Sequence, residues 1–204
     1  MYPERSTLAG LIEACREAIA ANAEHLCALD RAIGDGDHGT NMKRGCEAVY
    51  AERGELEALS LPRALERIGM TLVMTVGGAA GPLYGTLLIE MGRRMEGGHA
   101  CDSLVHALPA AVEAVARRGR SQAGEKTLLD VLYAVQSEVL KQEPPARIAA
   151  AAGAAARGTI GMKAMRGRAS FLGDRSIGHM DPGACSCALL TDTICRYIGE
   201  TQFA

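Results

Sequence analysis

No stretch of this sequence stays apolar for the roughly 20 residues that a bilayer-crossing helix needs. The longest apolar runs, 128–135 and 146–156, are short or broken by charge, so no membrane span is expected. A basic excess is missing too. The 22 Lys and Arg against 24 Asp and Glu leave a formal charge of −2, and the pI is about 6.2. That excludes the global positive field that drives non-specific binding to nucleic acid or anionic membrane. The segment 1–10 carries charges of both signs and no apolar run ending in a small-residue cleavage site. It does not read as a secretory signal, and a cytoplasmic location is expected.

The cysteines, at positions 15, 27, 46, 101, 185, 187 and 195, are seven, an odd number. Without an export signal they do not make a disulfide framework, and most are expected to be buried reduced thiols. Cys185 and Cys187 are the one close pair, but they lack the second pair or the histidines that a structural zinc site needs. Strict apolar–polar alternation never lasts beyond a few residues, and neither a repeat nor a Pro/Ser-rich linker divides the chain.

What is present is helical spacing. Leu8, Leu11, Ile12, Cys15, Ile19 and Leu26 follow the three- and four-residue steps of one helix face, which predicts a helix over 7–29. Further helices are predicted to begin near Thr40, Leu61, Pro82, Asp102, Thr127, Ala146 and Pro182, eight in all. Pro62 and Pro82 suit a first helical turn, and Asp102 suits a cap. Glycines mark the joints at Gly54, at Gly97 with Gly98, and from Gly119 to Gly124. The alanine-rich segment 146–156 reads as a strong helix packed closely on its neighbours. Met70, Met74 and Met91 read as core gap-fillers, and His25, His99 and His106 as partly exposed helical residues. The expected architecture is a single all-α domain spanning 1–204, with short connections forcing consecutive helices to run antiparallel.

Three loops depart from ordinary turns. The first, 29–41, places Asp30, Asp35 and Asp37 among glycines that allow tight curling. Carboxylates brought together repel unless a cation neutralises them, and hard oxygen donors of this kind favour Mg²⁺. The letters Gly34-x-Gly36-x-x-Gly39 match a dinucleotide fingerprint, but no strand precedes them, and a GxxxxGK[ST] phosphate loop is absent. The second loop, 76–82, is built of small residues ahead of a helix and reads as an anion cradle. The third, 166–184, holds three arginines, two aspartates and a histidine. Phe171, Leu172 and Ile177 are expected to anchor it. Its arginines are expected either to grip phosphate or to pair with Asp174 or Asp181.

Together the segments DRAIGDGDHGTNM, GGAAGPLYGT, GEKTLLDV and GRASFLGDRSIGHMDPGA, in that order, resemble the nucleotide-binding L subunits of dihydroxyacetone kinases. The resemblance implies an eight-helix antiparallel barrel holding ADP or ATP and two Mg²⁺ ions at one end. It implies that Asp30, Asp35 and Asp37 ligate metal and act in catalysis with His38, while His38, Gly39, Thr40 and Asn41 lie against the phosphates. Ala79 and Ala80 would offer backbone N–H groups, and Gly119 and Leu128 would border the adenosine. Arg168 with Asp181, Pro182 and Gly183 would close the site. Relatives often carry serine at the position of Ala80, so one possible hydroxyl contact is missing here. Histidine at position 38 resembles separate L subunits, where fused kinases often have cysteine.

The resemblance also implies a separate sugar-binding K subunit, with dihydroxyacetone or a four-carbon ketose as acceptor. A phosphohistidine protein of the phosphotransferase system, or else ATP, would be the donor. Two other readings share the pattern, a nucleotide-sensing subunit that binds a transcription factor and a lipid-binding kinase domain of the same fold. Neither nucleic acid nor membrane is expected as a partner.

Overall fold

The computed structural model describes residues 6–96 and 104–201, and every regular element among them is helical. In chain order these are α1 (Ser6–Ile33), α2 (His38–Ala51), α3 (Arg53–Glu57), α4 (Leu61–Thr75) and α5 (Ala80–Glu96). They are followed by α6 (Leu104–Gly119), α7 (Leu128–Leu140), α8 (Pro145–Gly158) and α9 (Pro182–Thr201). Two 3₁₀ segments, Thr159–Gly161 and Arg168–Ser176, lie between α8 and α9.

The eight long helices close into a ring. Each packs on the next in the order α1, α2, α4, α5, α6, α7, α8, α9, and α9 returns to α1. Their inward stripes meet in one core, to which Ile19 and Leu26 of α1, Met42 of α2, Leu72 of α4 and Val112 and Val115 of α6 contribute. Tyr84 of α5, Leu129 and Val131 of α7, Ala152 of α8 and Cys187 of α9 also belong to it. Burying each large aliphatic side chain contributes about 1.5–3 kcal/mol.

Small residues set the closest approaches. A Cβ on Gly69 of α4 would stand 2.7 Å from the carbonyl oxygen of Gly85 on α5, so those backbones touch only because both positions lack a side chain. Gly39 sits likewise against α1, where a Cβ would lie 1.9 Å from the Ala23 carbonyl oxygen.

Several expectations are met in detail. Pro62 lies in the first turn of α4, α6 ends at Gly119, and α8 covers the alanine-rich segment. Cys27, Cys187 and Cys195 are buried, Cys15, Cys46 and Cys185 half-buried, and all six are free thiols. His25 and His106 are exposed. Gly97, Gly98, His99, Cys101 and Asp102 lie outside the described residues.

Other expectations are corrected. The first helix runs one turn further than 29, which puts Asp30 on a helix, and α2 begins at His38. Gly54 falls inside the extra five-residue helix α3. Met70 and Met74 are not core: Met74 is 80% exposed and Met70 also faces outward, whereas Met91 packs on the core.

Consecutive helices joined by short turns put alternate connections at the same end of an antiparallel ring. The connections at 34–37, 76–79, 120–127 and 159–181 all reach the lining of one cavity. Those at 52–60 and 141–144 contribute nothing to it.

Candidate functional site

The cavity at that end measures about 440 Å³, within the range of small-molecule and cofactor sites. Its acidic wall comes from the α1–α2 corner. Asp30, in the last turn of α1, is buried, and its Oδ2 accepts the backbone N–H groups of Asp37 at 2.9 Å and His38 at 3.1 Å. The turn can fold back this far because Gly36 takes a positive φ of 82°, a conformation costly for other residues. Asp37 precedes α2, and its side chain makes no capping bond to that helix. One carboxylate oxygen from each of Asp30, Asp35 and Asp37 lies within 4.8 Å of the others.

Beside this corner stands the small-residue turn between α4 and α5. Asn41 of α2 packs against it so closely that a Cβ on Gly77 would lie 2.8 Å from the Asn41 amide oxygen. Arg44 donates to that oxygen at 2.8 Å and to the Thr75 carbonyl at 2.8 Å, tying the turn to the start of α2. Ala79 and Ala80 follow at the N-terminus of α5, where unpaired N–H groups and the helix dipole favour an anion.

His38 is fixed from behind. Its Nε2 shares a hydrogen bond with the Ser186 hydroxyl at 2.9 Å, and Ser186 in turn meets the Tyr84 hydroxyl at 2.8 Å and donates to the Gly183 carbonyl at 3.1 Å. Burial lowers the imidazole pKa below its ordinary value, against the opposing pull of Asp30 and Asp37. Burial likewise holds the Tyr84 phenol well above the usual range, so this chain of hydroxyls stays uncharged.

The segment 159–181 crosses from α8 to α9 and lines the cavity with Arg166, Gly167, Arg168, Ala169 and Asp181. The sequence pattern predicts an irregular loop over 166–184, but residues 168–176 form 3₁₀ helix, broken at Gly173 where φ is 57°, and α9 begins at Pro182. Phe171 is 88% exposed and Ile177 faces solvent too, so these two do not anchor it. Polar ties hold it in their place. Arg166 forks onto the Glu125 carboxylate with two bonds of 3.0 Å, Lys163 pairs with Asp174 at 2.8 Å, and Arg168 pairs with Asp35. Neither Arg166 nor Arg168 pairs with Asp174 or Asp181.

Asp181 opens α9, its Oδ2 accepting the Ala184 N–H at 2.7 Å. Burial pushes this carboxyl up to about 7, partly offset by the Ala184 N–H and the Lys126 ammonium.

The cavity brings together Asp30, Asp35, Asp37, His38, Asn41, Ala79 and Ala80 with Gly119, Leu128, Arg168 and the Asp181–Gly183 turn. Gly39 and Thr40 do not line it. Gly39 is spent on the contact with α1, and the Thr40 hydroxyl lies 3.5 Å from the Cys27 sulfur. Sequence reasoning missed Tyr84, Ser186, Arg118, Glu125 and Lys126. Tyr84, Glu125 and Lys126 stand inside segments singled out above, but nothing in their spacing said that they would meet partners from other helices. Asp130 had a readable signal, since Thr127-x-x-Asp130 is a capping box, with Thr127 N–H on Asp130 at 2.8 Å.

A family model described as the DAK2 domain matches residues 32–196. The chain is 42% identical over 175 residues to the ADP-binding subunit DhaL of a PEP-dependent dihydroxyacetone kinase from Listeria innocua, covering 85% of this chain and 87% of that one. It is 37% identical over 196 residues to the corresponding Escherichia coli subunit, covering 91% and 93%. Its fold is similar to the crystal structure of the dihydroxyacetone kinase from C. freundii in complex with AMP-PNP and Mg²⁺, with a TM-score of 0.77 at 24% identity. That match covers 94% of this chain and 34% of the longer one.

Proposed function

The chain belongs to the DAK2 domain family, and from that premise we propose that it is the ADP-binding, phosphoryl-transferring subunit of a dihydroxyacetone-type kinase. One observation carries the reading. Three aspartates that converge within 4.8 Å face the same cavity as the small-residue turn at the head of α5. Carboxylates alone would repel a nucleotide's phosphates; carboxylates with a divalent ion would hold them.

The donor set fits that ion. Asp30, Asp35 and Asp37 are hard oxygen ligands, and Mg²⁺ combines a few carboxylates with water and phosphate oxygens. When bound, a pair of Mg²⁺ ions would neutralise charge on the phosphates and align the phosphoryl group for transfer.

The chain's own residues do the rest. Two backbone N–H groups lock the Asp30 carboxylate, so that wall is preorganised and no ligand has to order it. Ala79 and Ala80 offer backbone donors to phosphate oxygens, and the loss of a serine hydroxyl at position 80 leaves those donors in place. His38, with Asn41 beside it, faces the phosphates as a neutral, fixed group. Gly119 and Leu128 border the adenosine. Arg168 supplies positive charge from the crossing segment, and the Asp181–Gly183 turn completes the enclosure.

The acceptor sugar, dihydroxyacetone or a related ketose, is held by a separate K subunit. The donor is a phosphohistidine protein of the phosphotransferase system, a reading supported by the PEP-dependent relatives. The test is a thermal-shift titration with ADP. With Mg²⁺, at a hundred times the dissociation constant, linkage stabilises the protein by about 2.7 kcal/mol. With EDTA, or in Asp37→Asn with its helical circular dichroism intact, the shift should vanish. Equal shifts with and without chelator would rule out the metal-bridged site.

A further inference from the structure

Lys126 is only 1% exposed, a setting in which a lysine is costly, and the phosphate chemistry above does not use it. Its backbone has a φ of 61°, held in the turn between α6 and α7. Its ammonium donates to the carbonyls of Thr159, at 2.6 Å, and His179. Those two residues bracket the segment 160–178. Inside this bracket the Gly178 N–H bonds the Ile160 carbonyl at 2.8 Å, and just outside it the Asp181 N–H bonds the Thr159 hydroxyl at 3.0 Å. The crossing segment is therefore a loop with a closed neck, and the Lys126 ammonium ties both sides of it.

The residue before Lys126 grips the body of the same loop. The Glu125 carbonyl accepts the Met165 N–H at 3.2 Å, and its carboxylate takes the Arg166 fork. Beyond the neck on one side lies Arg168, which reaches Asp35; on the other lies the Asp181–Gly183 turn. Burial lowers the Lys126 pKa from its ordinary value, and Asp181 is the acidic neighbour that opposes that pull. An apolar side chain of equal length would fill the space, but it would take the ammonium from both carbonyls and leave Thr159 only the Met162 N–H at 3.1 Å.

We infer that Lys126 is a positioning residue for nucleotide binding: by holding both ends of the 160–178 loop on one ammonium, it sets where Arg168 and the Asp181–Gly183 turn stand over the cavity. This rests on the nucleotide-binding reading above.

The test compares wild type, Lys126→Met, Lys126→Gln, Arg168→Ala and the Lys126→Met/Arg168→Ala double variant. Calorimetry with ADP and Mg²⁺ gives the affinities, and amide hydrogen exchange of 160–178 is followed in the ligand-free proteins. Lys126→Met should lose about tenfold or more in ADP affinity, the scale of a charged hydrogen bond. It should also speed exchange in 160–178. Lys126→Gln, which keeps an uncharged N–H donor group on a shorter chain, should fall between it and wild type, and it serves alone if Lys126→Met does not fold. The double variant should bind no more weakly than the weaker single one, because both changes disable the same contact.

Unchanged affinity in a folded Lys126 variant, or losses that add in the double variant, would overturn the assignment. If wild type itself binds no ADP with Mg²⁺, the nucleotide reading falls, and with it the role given to Arg168. Exchange data would then still report separately on the neck.

Discussion

Asp181 meets two demands that pull its carboxyl in opposite directions. Its charge is welcome to the first N–H groups of α9, yet burial outweighs them and leaves it titrating near 7. In the unfolded chain the same group titrates near 4. Folding therefore favours its protonated form. Its contribution to stability is whole below about pH 4 and drains away as pH rises through 7. Asp181→Asn is neutral throughout and still caps helices well. The melting temperature of this variant minus that of wild type should therefore grow between pH 4 and 7, then level off. A difference independent of pH would contradict the desolvated carboxyl. At this scale the sequence was informative where neighbours in the chain are also neighbours in space. Asp30, Asp35 and Asp37 converge through a glycine turn that can be read directly. Arg166 and Arg168 could not be told apart in that way. One meets Glu125 and the other Asp35, partners 41 and 133 residues away that no local pattern names.

Among the elements, two glycines that look alike in the sequence have opposite roles. Gly39 lies where α2 presses on α1, and a methyl group there would collide with main-chain atoms of Ala23 that cannot step aside. Gly39→Ala should destabilise the protein by about 1–3 kcal/mol, the usual cost of overpacking. It should also weaken ADP binding, because the start of α2 carries His38 and Asp37. Gly54 in α3 has an ordinary backbone, and a Cβ added to it would meet nothing within 4 Å. Gly54→Ala should stabilise by up to about 1 kcal/mol through helix propensity and unfolded-state entropy. Urea midpoints for both variants check the pair; a shift of the same sign would refute the contrast. The helices themselves were legible because each keeps an apolar stripe with a 3.6-residue period. The short α3 was not, since five residues complete too little of a turn pattern. Nor was the 3₁₀ character of 168–176, where ion pairs to other elements replace apolar anchors. The outward-facing Met70 and Met74 show the same limit, because residue type alone does not say which side of a helix meets the core.

For the whole molecule, antiparallel packing followed from short connections, but closure of the ring did not, since the contact of α9 with α1 joins helices at opposite ends of the chain. On the proposed reading, that closed wall holds a nucleotide at one end, and the described residues offer no second constellation to orient a small polyol. Purified chain with Mg²⁺ and either ATP or the phosphotransferase donors should form no sugar phosphate until a K subunit is added. Turnover by the chain alone, lost in Asp37→Asn, would overturn the two-subunit reading. Gly10 and Tyr197 lie so close that a methyl group on Gly10 would strike the phenol oxygen, so the first and last helices meet at the end away from the nucleotide. A circular permutant that bridges this seam and opens instead between α7 and α8 would keep every helix in its place around the barrel, because the ring itself marks no beginning.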